Sequence, residues 1–93
     1  MNTSGVLVIP GGAGTRTLIK EEPFLKNLRR LSEDASFVLS VCTGSALLAR
    51  CGALEEKRAT SNKRAFDWVV STSDKVHWIR KARWVHDGKF YTS

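Results

Sequence analysis

Two short apolar runs, each closed by a loop of small residues, constrain the fold of this chain more than any other feature. Val6–Ile9 is β-branched and ends in the loop 10–14, which reads Pro-Gly-Gly-Ala-Gly, and Phe37–Val41 leads directly into Cys42. Short apolar runs bounded by turn residues are typical of strands that are buried on both faces. The sequence therefore predicts two buried strands that end in tight loops.

Each of these runs is followed by a segment that is predicted to be helical. Pro23 suits the first turn of a helix, and the apolar residues after it lie on one helical face: Phe24, Leu25, Leu28 and Leu31. A second helix is predicted over Gly44–Arg50, and Cys51-Gly52 is expected to end it. Strands that alternate with helices indicate an α/β layer fold with a mainly parallel sheet.

The second half of the chain predicts a short strand, a helix and a hairpin. Arg58–Thr60 can form a third strand, and Ser61 or Asn62 is placed to cap the helix that follows. Apolar runs on both sides of His86-Asp87-Gly88 are typical of a β-hairpin with these residues in its turn. The expected architecture is therefore a parallel sheet with one antiparallel excursion.

The charge balance permits anionic partners without requiring them. The chain has 15 Lys and Arg against 9 Asp and Glu, a formal net charge of +6. Lys75–Trp84 interleaves cations with two indoles, which is compatible with nucleic-acid binding. The same pattern fits an edge strand whose cations face solvent and whose Trp side chains face inward, and this interpretation is favoured.

Cysteine usage and the termini bear on the cellular setting. The two cysteines, Cys42 and Cys51, form neither a disulfide framework nor a zinc-binding pattern, so no metal and no cofactor are expected. The N-terminus lacks a signal peptide, and no apolar stretch is long enough to span a membrane. We therefore expect a cytoplasmic protein without a membrane partner.

Cys42 lies where a predicted strand gives way to a predicted helix. A nucleophile on such a turn is exposed at the top of the sheet, and the start of the following helix favours the thiolate. Alternatively, Cys42 is a small buried hydrophobic residue. Cys51 is taken as structural. A catalytic Cys42 would need a base, and neither His77 nor His86 has a compelling claim to that role. The loop 10–14 lacks the third glycine of a dinucleotide site, so nucleotide binding is weakly indicated.

Six segments, taken in order, carry a resemblance. They are Val8–Thr15, Ser40–Ser45, Gly52–Leu54, Arg58–Thr60, Ala82–Lys89 and Tyr91–Ser93. Together they resemble the ThiJ/PfpI family of the class I glutamine amidotransferase-like superfamily, in register over nearly the whole chain. The resemblance implies a flavodoxin-like three-layer α/β sandwich with a mainly parallel sheet and one β-hairpin.

The resemblance also implies the roles of individual residues. Cys42 corresponds to the reactive cysteine of a nucleophile elbow. The amides of Gly12 and Thr43 correspond to an oxyanion pocket, with Gly11 beside them. Many relatives have a histidine where this chain has Asn62; asparagine cannot act as a general base but can orient a ligand, so Asn62 is expected to bind substrate together with Gly11, Gly12 and Thr43. The isonitrile-hydratase-like branch instead pairs its cysteine with an acid that precedes the strand equivalent to Val6–Ile9.

Family members extend beyond both ends of this sequence, so the resemblance predicts a single partial domain over residues 1–93, incomplete at both ends. The leading hypothesis is a cysteine-dependent hydratase or lyase that acts on a small electrophilic substrate, with the activity of this short chain in question. The alternative is a non-enzymatic redox sensor or ligand-binding module. A homodimer is left open, and nucleic acid is the less favoured partner.

Overall fold

Residues 5–93 are described by a computed structural model and contain six strands and four helices. In chain order these are β1 (Val6–Ile9), α1 (Thr15–Leu18), α2 (Glu22–Asp34), β2 (Phe37–Ser40), α3 (Gly44–Arg50), β3 (Arg58–Ala59), α4 (Phe66–Val70), β4 (His77–Trp78), β5 (Val85–Asp87) and β6 (Phe90–Thr92). The predicted strands and helices of the first half are confirmed, with Pro23 in the first turn of α2.

The main sheet has four strands in the order β1-β2-β6-β5. β1 and β2 are parallel, as are β2 and β6, and only β5 and β6 are antiparallel. The expected mainly parallel sheet with one antiparallel pair is therefore confirmed. β3 pairs in parallel with β4 as a separate two-stranded sheet, in which Arg58 lies opposite His77.

The hydrophobic core lies between one face of the main sheet and the helices. Ile9, Val38 and Phe90 point from β1, β2 and β6 into this core and are at most 6% exposed. They form one cluster with apolar side chains from the helices and from the loop after α3: Leu25, Leu28, Leu47, Leu48 and Leu54. The amphipathic pattern of α2 and the apolar composition of α3 are thereby explained.

None of the described helices covers the opposite face of the main sheet. Val6, Val8 and Phe37 are 47–59% exposed. The expectation that β1 and β2 are buried on both faces was therefore wrong. Alternate residues of a strand point to opposite faces, and the described helices cover only the face that carries Ile9 and Val38.

The segment around Ser61 does not cap a helix. α4 begins at Phe66 with Ala65 at its N-cap position, and no side chain caps it. The prediction that Ser61 or Asn62 caps this helix was wrong, because the Ser61 hydroxyl donates to the Cys42 carbonyl oxygen instead, at 2.7 Å.

The hairpin is confirmed, but its turn lies later in the chain than expected. His86 belongs to β5 and lies opposite Tyr91 of β6, and the two rings stack with centroids 4.3 Å apart. Gly88 and Lys89 form the turn, and Gly88 has φ +61°, a conformation that glycine adopts readily. His86 was expected in the turn, but it lies in β5 and stacks on Tyr91.

The two indoles of Lys75–Trp84 occupy different environments. Trp78 is half-buried and packs edge-on against Phe66, whereas Trp84 is 61% exposed. The expectation that these Trp side chains face inward therefore holds for Trp78 and was wrong for Trp84. Among residues 5–93, no helix combines the length and apolar character needed to cross a membrane.

Candidate active site

Cys42 occupies the tight turn between β2 and α3. Its φ is +53°, which non-glycine residues rarely adopt, and its side chain is exposed. Its N–H donates to the Ser93 carbonyl oxygen at 2.9 Å, so the turn is joined to the residue that follows β6. The predicted strand-to-helix turn is present, and its strained backbone places the Cys42 thiol at the protein surface.

Two buried serines hold the carbonyl oxygen of Cys42. Ser61 Oγ donates to it at 2.7 Å, and Ser45 Oγ donates to it at 3.3 Å. Both serines are at most 2% exposed. Sequence reasoning did not assign either residue to the site, because Ser61 approaches Cys42 only through the tertiary fold. For Ser45, its position three residues after Cys42 was an available signal.

The glycine loop after β1 packs directly against this turn. A Cβ atom at Gly11 would lie 2.7 Å from Thr43 Oγ1 and 2.8 Å from the Thr43 amide nitrogen. A Cβ atom at Gly44 would collide with the Ile9 carbonyl oxygen. Both positions therefore require glycine for the close approach of the two loops. The structure brings Gly11 and Thr43 together.

Hydroxyl groups connect these two loops. The Gly12 N–H donates to Thr43 Oγ1 at 3.0 Å, and Thr15 Oγ1 lies 2.8 Å from the Gly12 carbonyl oxygen and 3.1 Å from Thr43 Oγ1. The Gly12 N–H therefore already has an acceptor within the protein. The resemblance implied instead that this N–H would be free to donate to an oxyanion. Within residues 5–93, the Thr43 amide has no hydrogen-bond acceptor.

Asn62 lies next to the serine that holds the cysteine. Its Oδ1 is 3.2 Å from Ser61 Oγ, and its side chain is partly exposed. Asn62 therefore lies beside Ser61, near the Cys42 turn. An amide side chain at this position can orient a ligand by hydrogen bonding but cannot exchange a proton at neutral pH.

The two thiols have contrasting surroundings. Cys42 is exposed, whereas Cys51 is buried at the end of α3 and its Sγ donates to the Leu48 carbonyl oxygen at 3.3 Å. Burial raises the pKa of the Cys51 thiol above its ordinary value. Cys51 is therefore held as a neutral thiol, as a structural cysteine would be.

The contacts of the two histidines are with residues other than Cys42. His77 is exposed, with Nε2 3.9 Å from Glu56 Oε2, and His86 stacks on Tyr91 with Nε2 2.7 Å from the Gly88 carbonyl oxygen. Among the described residues, no histidine forms a hydrogen bond with Cys42. No group of three or more potential metal-ligating side chains occurs within residues 5–93.

Comparison with known proteins identifies similar chains. The sequence is 38% identical to an isonitrile hydratase from Pseudomonas putida over 87 residues, which are 94% of this chain and 37% of that protein. This chain thus spans little more than a third of the length of that relative.

Solved structures show the same similarity. A ThiJ/PfpI family protein from Pseudomonas syringae matches 94% of this chain and 35% of its own length, with a TM-score of 0.78 and 30% identity. Drosophila melanogaster DJ-1beta matches 95% of this chain and 46% of its own length, with a TM-score of 0.75 and 25% identity. The DJ-1/PfpI family model matches residues 2–93, so the resemblance stated from the sequence is confirmed and the chain belongs to the DJ-1/PfpI family.

Proposed function

We propose that Cys42 is the nucleophile of a hydratase-type site that adds water to a small electrophilic substrate. The observation that carries this proposal is the exposed thiol on a backbone with φ +53°, at the end of a parallel strand. A side chain in that conformation projects from the sheet, where a substrate can reach it. The similarity to an isonitrile hydratase supports this reaction class.

The proposed reaction has two additions. First, the Cys42 S–H adds to the terminal carbon of the isonitrile, so that this carbon takes both Sγ and the proton and becomes a thioimidate, R–N=CH–S. Water then adds across the C=N bond, with its hydroxyl on carbon and its other proton on nitrogen; the C–S bond breaks as the carbonyl forms, and the hydroxyl proton returns to the thiol. The net change is the addition of one water molecule, with no oxidant, reductant or metal ion in the balance.

The Thr43 amide is the proposed donor to charge that develops on the substrate. This N–H lies immediately after the nucleophile and has no acceptor among the described residues. Gly11 packs against this amide without a side chain, since a Cβ atom there would lie 2.8 Å from the nitrogen. Gly12 contributes indirectly, because its N–H fixes Thr43 Oγ1. Fixed donors aimed at developing charge lower the barrier of such reactions.

An alkyl isonitrile is the first substrate to test. Its hydration gives an N-alkylformamide, whose formation can be followed by proton NMR. We expect turnover by the wild-type chain and by Cys51→Ser, and loss of turnover in Cys42→Ser. Equal activity in Cys42→Ser and the wild type would contradict the proposal. Far-UV circular dichroism and thermal unfolding establish that each variant is folded.

Redox sensing through Cys42 is the second candidate. It is favoured by the contrast between an exposed Cys42 and a buried Cys51, because oxidation selects accessible thiols. Treatment with hydrogen peroxide, followed by mass spectrometry of peptides, separates this candidate from the first. A stable sulfinate at Cys42 without isonitrile turnover supports sensing, whereas turnover with little oxidation supports the hydratase.

A further inference from the structure

A cleft of about 280 Å³ lies between α2 and the end of α3. Its charged lining residues come from both helices: Glu22, Lys26, Arg29 and Arg50. α3 begins two residues after Cys42, and its seven residues place the cleft about 10 Å further along the helix axis. The cleft is therefore separate from the proposed active site.

Positive charge predominates among the side chains that line this cleft. Three of them are cations, and only Glu22 is an anion. Within residues 5–93, Lys26 and Arg50 take part in no ion pair and no side-chain hydrogen bond. Because the potentials of cations around one small cleft add, these side chains attract an anion more strongly together than each would alone.

The third cation, Arg29, is held in position beside the end of α3. Its Nε donates to Glu33 Oε2 at 3.4 Å, and its two terminal nitrogens have no acceptor among the described residues. A Cβ atom at Gly52 would lie 2.6 Å from Arg29 Nη1, so the guanidinium packs directly on the backbone there. Arg29 therefore has terminal N–H groups free for a ligand, on a side chain that Glu33 and Gly52 already orient.

The least exposed residues of the lining are apolar. Leu25 is 5% exposed and Cys51 is 9% exposed. The carbonyl oxygens of residues 47–49, in the last turn of α3, already accept hydrogen bonds from the amides of residues 51–53. These acceptors are therefore satisfied, and Leu25 and Cys51 offer an apolar surface to a carbon skeleton.

We infer that this cleft binds a phosphate monoester of a small organic molecule. Such a group carries a charge of about −1.5 to −2 at pH 7 and has three acceptor oxygens, which suit a cleft with three cations. Arginine donates several N–H groups in a fixed geometry that fits phosphate. Leu25 and Cys51 contact the organic part of the ligand. This binding goes beyond the chemistry of Cys42 and is independent of it.

A nucleic-acid strand fits the cleft less well than a small phosphate ester does. Strand binding relies on cations that follow successive phosphates and on aromatic side chains that stack on the bases. Among the described residues, no aromatic side chain lines the cleft. Its volume of about 280 Å³ is close to the lower end of the range for small-molecule sites. The cleft therefore favours a ligand with a single phosphate group.

Three small probes test the inference by isothermal titration calorimetry of the full chain at pH 7.5. Phenyl phosphate is the ligand. Phenyl sulfate is the matched control for charge, because it has the same shape but only one negative charge. Inorganic phosphate is the control for the organic part. We expect saturable binding of phenyl phosphate and roughly tenfold weaker binding of each control.

Protein variants locate the binding site. Lys26→Gln and Arg50→Gln each remove one cation from the cleft, so we expect roughly tenfold weaker binding of phenyl phosphate. Arg30→Gln is the matched control, since Arg30 belongs to α2 but does not line the cleft, and it should bind as the wild type does. Glu22→Gln removes the one anion and should bind more tightly. Cys42→Ser should bind as the wild type does, which separates this test from that of the hydratase.

Four results would overturn the inference. Two are the absence of saturable binding and equal binding of phenyl phosphate and phenyl sulfate. Inorganic phosphate that binds as tightly as phenyl phosphate would assign the cleft to the free anion. Equal weakening by Arg30→Gln and Arg50→Gln would assign the binding to general surface charge. The comparison among the three probes uses only the wild-type chain, so it decides the matter even where a variant fails to fold.

Discussion

The Ser61 hydroxyl donates a hydrogen bond of 2.7 Å to the carbonyl oxygen of Cys42, across 19 residues of sequence. This bond fixes the peptide that follows the strained φ of Cys42. Ser61 is 2% exposed, so water cannot readily replace its hydroxyl. The geometry of the exposed thiol therefore depends on a loop that contributes no reactive group.

We expect Ser61→Ala to lower the free energy of unfolding by about 1–2 kcal/mol, because the Cys42 carbonyl oxygen loses the shorter of its two side-chain hydrogen bonds. The rate of Cys42 alkylation by iodoacetamide in the native state should change with it. Ser71→Ala is the matched control, since the Ser71 hydroxyl also donates to a main-chain carbonyl but is exposed. Identical stability of Ser61→Ala and Ser71→Ala, with unchanged alkylation, would contradict this role.

The buried thiol of Cys51 should make stability fall at alkaline pH. Its pKa in the folded chain is raised above the ordinary value of 9.0 by burial. From about that pH upward, the unfolded thiol releases its proton while the folded thiol retains it, so unfolding is favoured. Denaturant titrations from pH 8 to pH 10.5 should therefore show a steeper loss of stability in the wild type than in Cys51→Ala. Parallel pH profiles would contradict the prediction.

Asp87 should support the fold at acidic pH. The Arg58 amide donates to Asp87 Oδ2 at 2.8 Å, and this bond, with the nearby Arg58 guanidinium, lowers the pKa of the Asp87 carboxyl below 3.8. The stabilisation is present above that ordinary value and is lost as pH falls through the lower folded value. Asp87→Asn should therefore be less stable than the wild type at pH 6.

The difference between the Asp87→Asn variant and the wild type should shrink as both are acidified. Urea titrations at several pH values measure it. Asp74→Asn is the control for the removal of one negative charge. A pH-independent difference, or an equal effect of the control, would show that the Arg58–Asp87 contact does not depend on ionisation.

Glu56 offers a site at which glycine should stabilise the chain. Its φ is +65°, a conformation that costs a non-glycine residue about 1 kcal/mol. Its carboxylate lies 3.9 Å from His77 Nε2 at an exposed position, so little is lost with the side chain. Glu56→Gly should raise the melting temperature, while Glu55→Gly, without a positive φ, should lower it. The same shift in both variants would contradict the argument.

Features encoded by neighbouring residues were predictable from the sequence. α2 follows from Pro23 and the helical spacing after it, and the Cys42 turn follows from an apolar run that meets a helix-forming segment. The burial of β1 was not predictable, because an apolar run cannot show whether a helix covers its second face. The contacts of Ser61 were likewise inaccessible, because a serine that holds a distant carbonyl has the same local pattern as a helix cap.

Two distant parts of the chain hold the backbone of Cys42. Its N–H donates to the Ser93 carbonyl oxygen, and its carbonyl oxygen accepts from the Ser61 hydroxyl. Closing loops of this length is slow relative to forming a helix. We therefore expect the turn to acquire its native shape only after β6 has docked, late in folding. Pulsed alkylation during refolding would then give Cys42 its native rate last, so the thiol serves as a built-in reporter of completed folding.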